Sequence, residues 1–403
     1  MIIYRDIQKK IEEWLFKRQI ILLSGARQVG KTTLMKELQK VLIKKGSQTY
    51  FFNMEKISLK SLLDQNPDNL LLEISYNKKD VFFVFLDEVQ LLDNPSHFLK
   101  YMYDEYENIK FIISGSVNFE LKGQIKDSLV GRKITFQISP FSFAEFLSLK
   151  GYDTQTSREK KENTENYLHE YMLYGGLPSV VLEKNIEHKK ILLEEYINTY
   201  LQRDVRSLVQ EKSIAKFNQL TIILSSMIGS LKNNNAISQD LQMNNETLLR
   251  YLDIISGTYV FDCLEPYFTN VKKQIVKMKK VYCFDLGVRN AILNNFLPIK
   301  NRVDAGALFE NFVFLRLQEK YNRKNLFFYR TKSGAEIDFI IQKDGVNFYE
   351  VKYKNIQKHN LGKGFISALR ELQPVNSYVV NISQAQNIQY EGFDVRFIRY
   401  FDL

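Results

Sequence analysis

Cysteine and tryptophan are nearly missing from this chain, with two Cys and one Trp in 403 residues. Cys263 and Cys283 are too few and too isolated for a disulfide framework or a zinc site, which fits a reducing compartment. Both are expected to be small buried apolar residues. Long apolar runs are missing too. None approaches the roughly 18 residues needed to cross a bilayer, so no membrane span is expected. Met1-Ile2-Ile3-Tyr4-Arg5-Asp6, followed by Gln8-Lys9-Lys10, lacks the basic start, apolar core and small cleavage residues of a signal peptide. These absences point to the cytoplasm. Internal repeats are not evident, and Asn233-Asn234-Asn235 reads as a loop.

Hydrophobic residues make up 45% and charged residues 25%, which describes a globular chain rather than a disordered one. The length suits two or three domains. Aromatics reach 13%, nearly all Phe and Tyr, and most are expected in cores. The net charge of +10 permits a polyanionic partner such as nucleic acid, and it equally fits a lysine-rich soluble surface.

The strongest signal is Gly25-Ala26-Arg27-Gln28-Val29-Gly30-Lys31-Thr32, which fits the phosphate-loop pattern G-x-x-x-x-G-K-[ST]. The flanks supply the required context. Residues 20–23 are an apolar run suited to a buried strand. Residues 32–44 place Leu34, Leu38, Val41 and Leu42 on one side of a helix. Gly25 and Gly30 permit close approach and unusual backbone angles, so the loop amides form a nest for phosphate oxygens at a helix N-terminus. Lys31 is expected to reach the β- and γ-phosphates, and the Thr32 hydroxyl to hold Mg²⁺. ATP with Mg²⁺ is the expected ligand, with residues 25–32 and Thr33 around it.

Residues 81–86 are a second apolar run, as expected for a central parallel strand. It ends in Asp87-Glu88, where nucleotides bind in open α/β sheets. Asp87 suits ordering of the magnesium, and Glu88 suits polarising an attacking water. A third strand, residues 111–113, leads into Ser114-Gly115-Ser116-Val117-Asn118, where a polar side chain can sense the γ-phosphate. An ordinary turn there remains the alternative.

These motifs resemble those of AAA+ ATPases, with Walker A at residues 25–32, Walker B at Asp87-Glu88, and sensor 1 near Ser116 or Asn118. More narrowly, the chain resembles a widespread prokaryotic, STAND-like AAA+ family. Further motifs carrying that likeness are Gly131-Arg132, Pro140-Phe141-Ser142-Phe143-Ala144-Glu145-Phe146 and Tyr174-Gly175-Gly176-Leu177-Pro178. The resemblance implies a C-terminal domain like the PD-(D/E)XK nucleases. It also implies that the glycine-proline element lies near the nucleotide. Arg132 and Arg203 are candidate arginine fingers, acting in cis or in trans.

The expected organisation is an AAA+ P-loop core with a parallel sheet over residues 1–150, a helical lid over 151–203, a winged-helix-like region over 204–290, and an α/β nuclease-like domain over 300–403. Alternating strands and helices support the first. In the third, a short helix near Ile237, a second over residues 246–255, and strands at 259–264 and 281–284 suggest a winged helix-turn-helix. Such a module can place its second helix in a DNA major groove. Only Arg250 offers that helix a base-reading cation. The basic segment 271–280 reads as a wing contacting phosphates.

Near the C-terminus, Glu336, Asp338, Glu350 and Lys352 lie on two β-rich runs joined by a turn at Lys343-Asp344-Gly345. Alternation makes Glu350 and Lys352 point the same way along one strand, and Glu336 and Asp338 point the same way along the other. Pairing the strands gathers Asp338, Glu350 and Lys352. Two carboxylates suit a second Mg²⁺ or Mn²⁺, which would activate water while Lys352 neutralises charge. Glu310, on an expected helix over 307–321, is a further acidic candidate. The four residues Glu310, Asp338, Glu350 and Lys352 resemble the core positions of PD-(D/E)XK nucleases.

Two functions follow as expectations. In one, an ATPase's nucleotide state controls binding or cleavage of duplex or branched DNA, with Lys31, Glu88, Asp338, Glu350 and Lys352 as catalytic residues. In the other, the ATPase is a switch and the nuclease-like fold grips a protein partner. Either is compatible with an oligomer.

Overall fold

Continuous apolar runs become the central strands of a parallel sheet. Ile20–Ser24 (β1), Gln48–Asn53 (β2), Phe82–Asp87 (β3), Ile109–Gly115 (β4) and Lys133–Gln137 (β5) lie in the order β2-β3-β4-β1-β5. All their pairings are parallel. β1, β3 and β4 are buried throughout, and the edge strands β2 and β5 are partly exposed. Burial on both faces explains why the inner strands read as unbroken hydrophobic runs. Leu22, Val84, Leu86, Phe111 and Ile113 meet Phe98 and Leu99 of the helix Pro95–Glu105 in one core.

The structure, a computed structural model, describes residues 4–115, 129–200, 205, 208–209, 213–268, 278–331, 334–354, 361–383 and 385–403. The chain divides into two compact units. The first comprises residues 1–150, 177–182 and 257–259; the second comprises 151–176, 183–256 and 260–403. Among the described residues no helix is long and apolar enough to cross a membrane.

The second unit begins with the helix Ser157–Tyr174, started by a capping box between Thr156 and Glu159. The helix Ile186–Thr199 follows, and then helices at Ile214–Ser226, Asn234–Asp240 and Asn245–Gly257. Asn233 is no loop residue but a cap: its side chain accepts from the amides of Asn235 and Ala236, so the asparagine run starts a helix. An antiparallel pair, Phe261–Leu264 (β6) and Lys280–Cys283 (β7), comes next. Cys283 is buried and Cys263 only partly so, because β6 turns one face outward; both thiols are free.

The helix Ala305–Lys320 then leads into a six-stranded mixed sheet. Its strands are Leu326–Arg330 (β8), Glu336–Gln342 (β9), Val346–Lys352 (β10), Asn376–Asn381 (β11), Gln386–Tyr390 (β12) and Phe393–Arg399 (β13), in the order β12-β13-β11-β10-β9-β8. β8, β9 and β10 are an antiparallel meander, and the helix Lys363–Leu372 carries the chain to β11, parallel to β10. A cluster with Ile337, Ile340, Phe348, Phe365 and Leu369 packs that helix on the sheet.

Candidate nucleotide site and a carboxylate cluster

In the first unit the chain leaves β1 at Ser24 and returns as the helix Lys31–Lys44. A Cβ on Gly25 would stand 2.2 Å from the Ile138 carbonyl oxygen, so no larger residue fits. Gly30 is left-handed (φ +94°) and precedes the helix, whose first turn carries no acid to repel an anion. The buried Lys31 folds back over the loop, donating to the carbonyls of Gly25 (3.0 Å) and Ala26 (2.8 Å).

The Thr32 hydroxyl donates to Asp87 Oδ2 at 2.7 Å. Asp87 Oδ1 accepts from Ser114 Oγ, and Ser114 Oγ accepts from the Glu88 amide at 3.0 Å. Glu88 has a left-handed backbone (φ 56°), and its carboxylate accepts from Gln90 Nε2. Thr32, Asp87, Ser114 and Glu88 therefore form one polar chain at the carboxyl ends of β1, β3 and β4. This donor set fits a nucleotide triphosphate with Mg²⁺: a nest of amides, an ammonium, a hydroxyl and a carboxylate. Ser116 and Asn118 lie outside the described residues. The serine touching Asp87 is Ser114, which β3–β4 pairing places there because Leu86 stands opposite Ile113.

Arg5, which in sequence is simply part of the N-terminal segment, braces the loop. Its guanidinium donates to Val29 O (3.0 Å), Ser139 O (2.7 Å) and Glu145 Oε1 (3.0 Å). It lies 4.8 Å from the Phe141 ring centroid. Glu145 also closes a capping box with Ser142 at the start of the helix Phe143–Leu149. The Tyr259 hydroxyl sits 3.4 Å from Ser24 Oγ, and a Cβ on Gly30 would stand 3.8 Å from Pro178 Cγ. Arg132 stands at the opposite end of the sheet, its carbonyl bonded to the Ile20 amide and its guanidinium on Asp104 (2.8 Å). A five-residue strand separates it from the loop by roughly 16 Å, so it is no finger for this chain's own site. Arg203 lies outside the described residues.

In the second unit Asp338 and Glu350 come together through the β9–β10 pairing, and the Val351 amide donates to Asp338 Oδ2 at 2.9 Å. Lys352 donates to Glu350 Oε1 at 2.5 Å. The centre of the cluster is a residue the wing reading missed. Lys280 of β7 is 2% exposed and places its ammonium 3.1 Å from Glu336, 3.2 Å from Glu310 and 3.5 Å from Asp338. It faces carboxylates, not a phosphate partner, and Lys279 pairs with Glu265 at 2.8 Å. Residues 271–277 of the expected wing lie outside the described residues. Tyr282, also on β7, donates to Glu310 Oε1 at 2.6 Å.

Burial, then the Asp338 charge, lifts Glu310 to about 7 and Glu350 to about 8. Burial opposes the charge on Lys280, but the carboxylates of Glu310, Asp338 and Glu336 outweigh it and raise its pKa. Among the described residues no group of three or more His, Cys, Asp or Glu side chains is set to hold a metal ion. The expected second metal does not fit this arrangement.

Residues 17–147 match the family model for an AAA domain. Two domains of unknown function, DUF8612 and DUF4143, match residues 165–298 and 305–399. The chain is 28% identical over 386 residues to uncharacterized protein MJ1544 of Methanocaldococcus jannaschii, covering 92% of this chain and 82% of that one. It is 26% identical over 373 residues to uncharacterized protein Rv2008c of Mycobacterium tuberculosis, covering 92% and 78%. Among solved structures, AMPPCP-bound DnaA from Aquifex aeolicus aligns at 16% identity and a TM-score of 0.30, over 62% of this chain and 86% of that one.

Proposed function

We propose that this protein binds ATP with Mg²⁺, hydrolyses it, and uses its nucleotide state to control its C-terminal region. One observation carries the reading: the hydrogen-bonded chain Thr32–Asp87–Ser114–Glu88 at the mouth of the glycine loop. Residues 25–33 cradle the phosphates, Lys31 neutralises them, and Thr32 and Asp87 would hold the magnesium. A magnesium ion held there would supply positive charge to the transferring phosphoryl group. Glu88, aimed by Ser114 and Gln90, polarises the attacking water. In Glu88→Gln, ATP affinity stays within a few-fold while turnover falls about 10²–10⁴-fold, the worth of a positioned general base. Equal loss of binding and turnover would sink this assignment.

The order helix, β8, β9, β10, helix, β11 supports a nuclease-like reading of the C-terminal region, with Glu310, Asp338, Glu350 and Lys352 at its core. The three helices between residues 214 and 257 and the β6–β7 pair support a winged-helix reading of the middle, where Arg250 is exposed. Two uses of this region stand: gripping duplex or branched DNA, with or without cleavage, and gripping a protein partner. The charge of Lys280 within the cluster favours a fold that binds without cutting. Affinity for plain duplex DNA at two salt concentrations separates the ligands. A steep salt slope marks nucleic acid, and no binding marks the protein-partner switch.

A further inference from the structure

We infer that Lys280 stands where a nuclease-like site would hold a divalent metal, so the protein carries its own cation at this cluster. The identity of the replaced ion rests on the nuclease-like reading of the C-terminal region; the ion pairs do not. Three carboxylates from two elements converge on one ammonium. Glu310 comes from the helix Ala305–Lys320, and Glu336 and Asp338 come from β9. Lys280 arrives from β7, outside the helix–meander–helix segment, and is 2% exposed.

Several of these carboxylate oxygens have further partners. Glu310 Oε1 takes the Tyr282 hydroxyl, Asp338 Oδ2 takes the Val351 amide, and Glu350 Oε1 takes Lys352. Glu336 Oε2 lies 3.5 Å from Arg330. The buried Glu350 Oε2 has no hydrogen-bond partner. Mg²⁺ is held at about 2.0–2.1 Å by one or two carboxylates, with waters filling its octahedron, and the carboxylates here already face an ammonium at 3.1–3.5 Å. Coulomb repulsion between an ammonium and a divalent ion at such range is large in a site this dry. Lys280 thus neutralises the acids permanently, which a dissociable ion does not, and it ties β7 to the sheet behind them.

The test is a Mn²⁺ titration of the full chain, read by electron paramagnetic resonance. All proteins carry Asp87→Asn to silence the ATP site. With Lys280 in place, no Mn²⁺ binds below roughly millimolar concentration, the range of weak oxygen sites. In Lys280→Met, one Mn²⁺ binds per chain at least about tenfold more tightly, and adding Asp338→Asn removes it. A chain that retains Lys280, binds Mn²⁺ tightly and loses it with Asp338→Asn overturns the inference and leaves the nuclease-like reading standing. A folded Lys280→Met chain that binds no Mn²⁺ overturns both. Should Lys280→Met fail to fold, Lys280→Gln takes its place and is read by the same two outcomes.

Discussion

Lys31 and Lys280 are both buried lysines at the centre of a functional motif, and they are held in opposite ways. Lys31 donates to the loop's own carbonyls, neutral partners that a phosphate can replace. Lys280 is locked among three carboxylates, partners that hold it more firmly than any neutral group. Neutral oxygens of its own loop hold the first lysine, and carboxylates hold the second. A motif therefore tells which side chains gather, while their counter-charges tell what the gathering can accept.

The largest expected effect sharpens this contrast. Lys31→Ala abolishes ATP binding, a rise in Kd of about 10²–10⁴-fold, because charge-assisted bonds to two phosphates are worth about 1.5–3 kcal/mol each. Calorimetry with a non-hydrolysable analogue reads it. The same titration on Lys280→Met gives an unchanged Kd, and a comparable loss there breaks the comparison.

Next comes Asp304, which joins Arg289 (2.6 Å) and Arg302 (2.8 Å) at the start of the helix carrying Glu310. Burial alone would raise its carboxyl, but the hydrogen bonds from Arg302 and Arg289 outweigh it and bring it down to about 2. The unfolded chain binds this proton more readily than the folded one. Asp304 therefore stabilises above about pH 4, its ordinary range, and that stability drains away as pH falls towards 2. Asp304→Ala leaves two buried guanidiniums uncompensated and costs about 3–5 kcal/mol. Denaturant melts record the loss, and Asp304→Asn flattens the acid limb between about pH 4 and 2.

Arg5→Met in the first unit costs about 3 kcal/mol by stranding Glu145 and loosening Val29, and ATP binding weakens with it. Unfolding at a higher ATP concentration recovers part of the loss by mass action. The smallest effect belongs to Ser114→Ala. It removes the acceptor of the Glu88 amide, costs about 1–3 kcal/mol, and lowers kcat more than it raises KM. A pure KM change would mean that Ser114 only binds.

What the sequence made legible was local. Strand, glycine loop and helix are contiguous, so residues 20–44 can be read in order. The β9–β10 hairpin was readable for the same reason, since alternation fixes which face Asp338, Glu350 and Lys352 share. Ser114, Arg5 and Lys280 come from distant elements. Ser114 could have been found from strand register alone, one position from the pair Leu86–Ile113. Lys280 could not: it ends a basic run that looks like a solvated wing, and only the fold of β7 beside Glu310 turns it inward. The asparagines at 233–235 misled in a similar way, because a side chain that favours loops also favours helix caps.

Arg5 and Glu145 lie 140 positions apart, and Val29 is fastened to that same bridge. A ribosome releases the arginine many seconds before its carboxylate, at about 5–20 residues per second. Throughout that interval the glycine loop exists as sequence without its brace. The phosphate cradle is thus made early and braced only after Glu145 has emerged. An ATP site assembled this late is presented only by chains that have already completed the sheet.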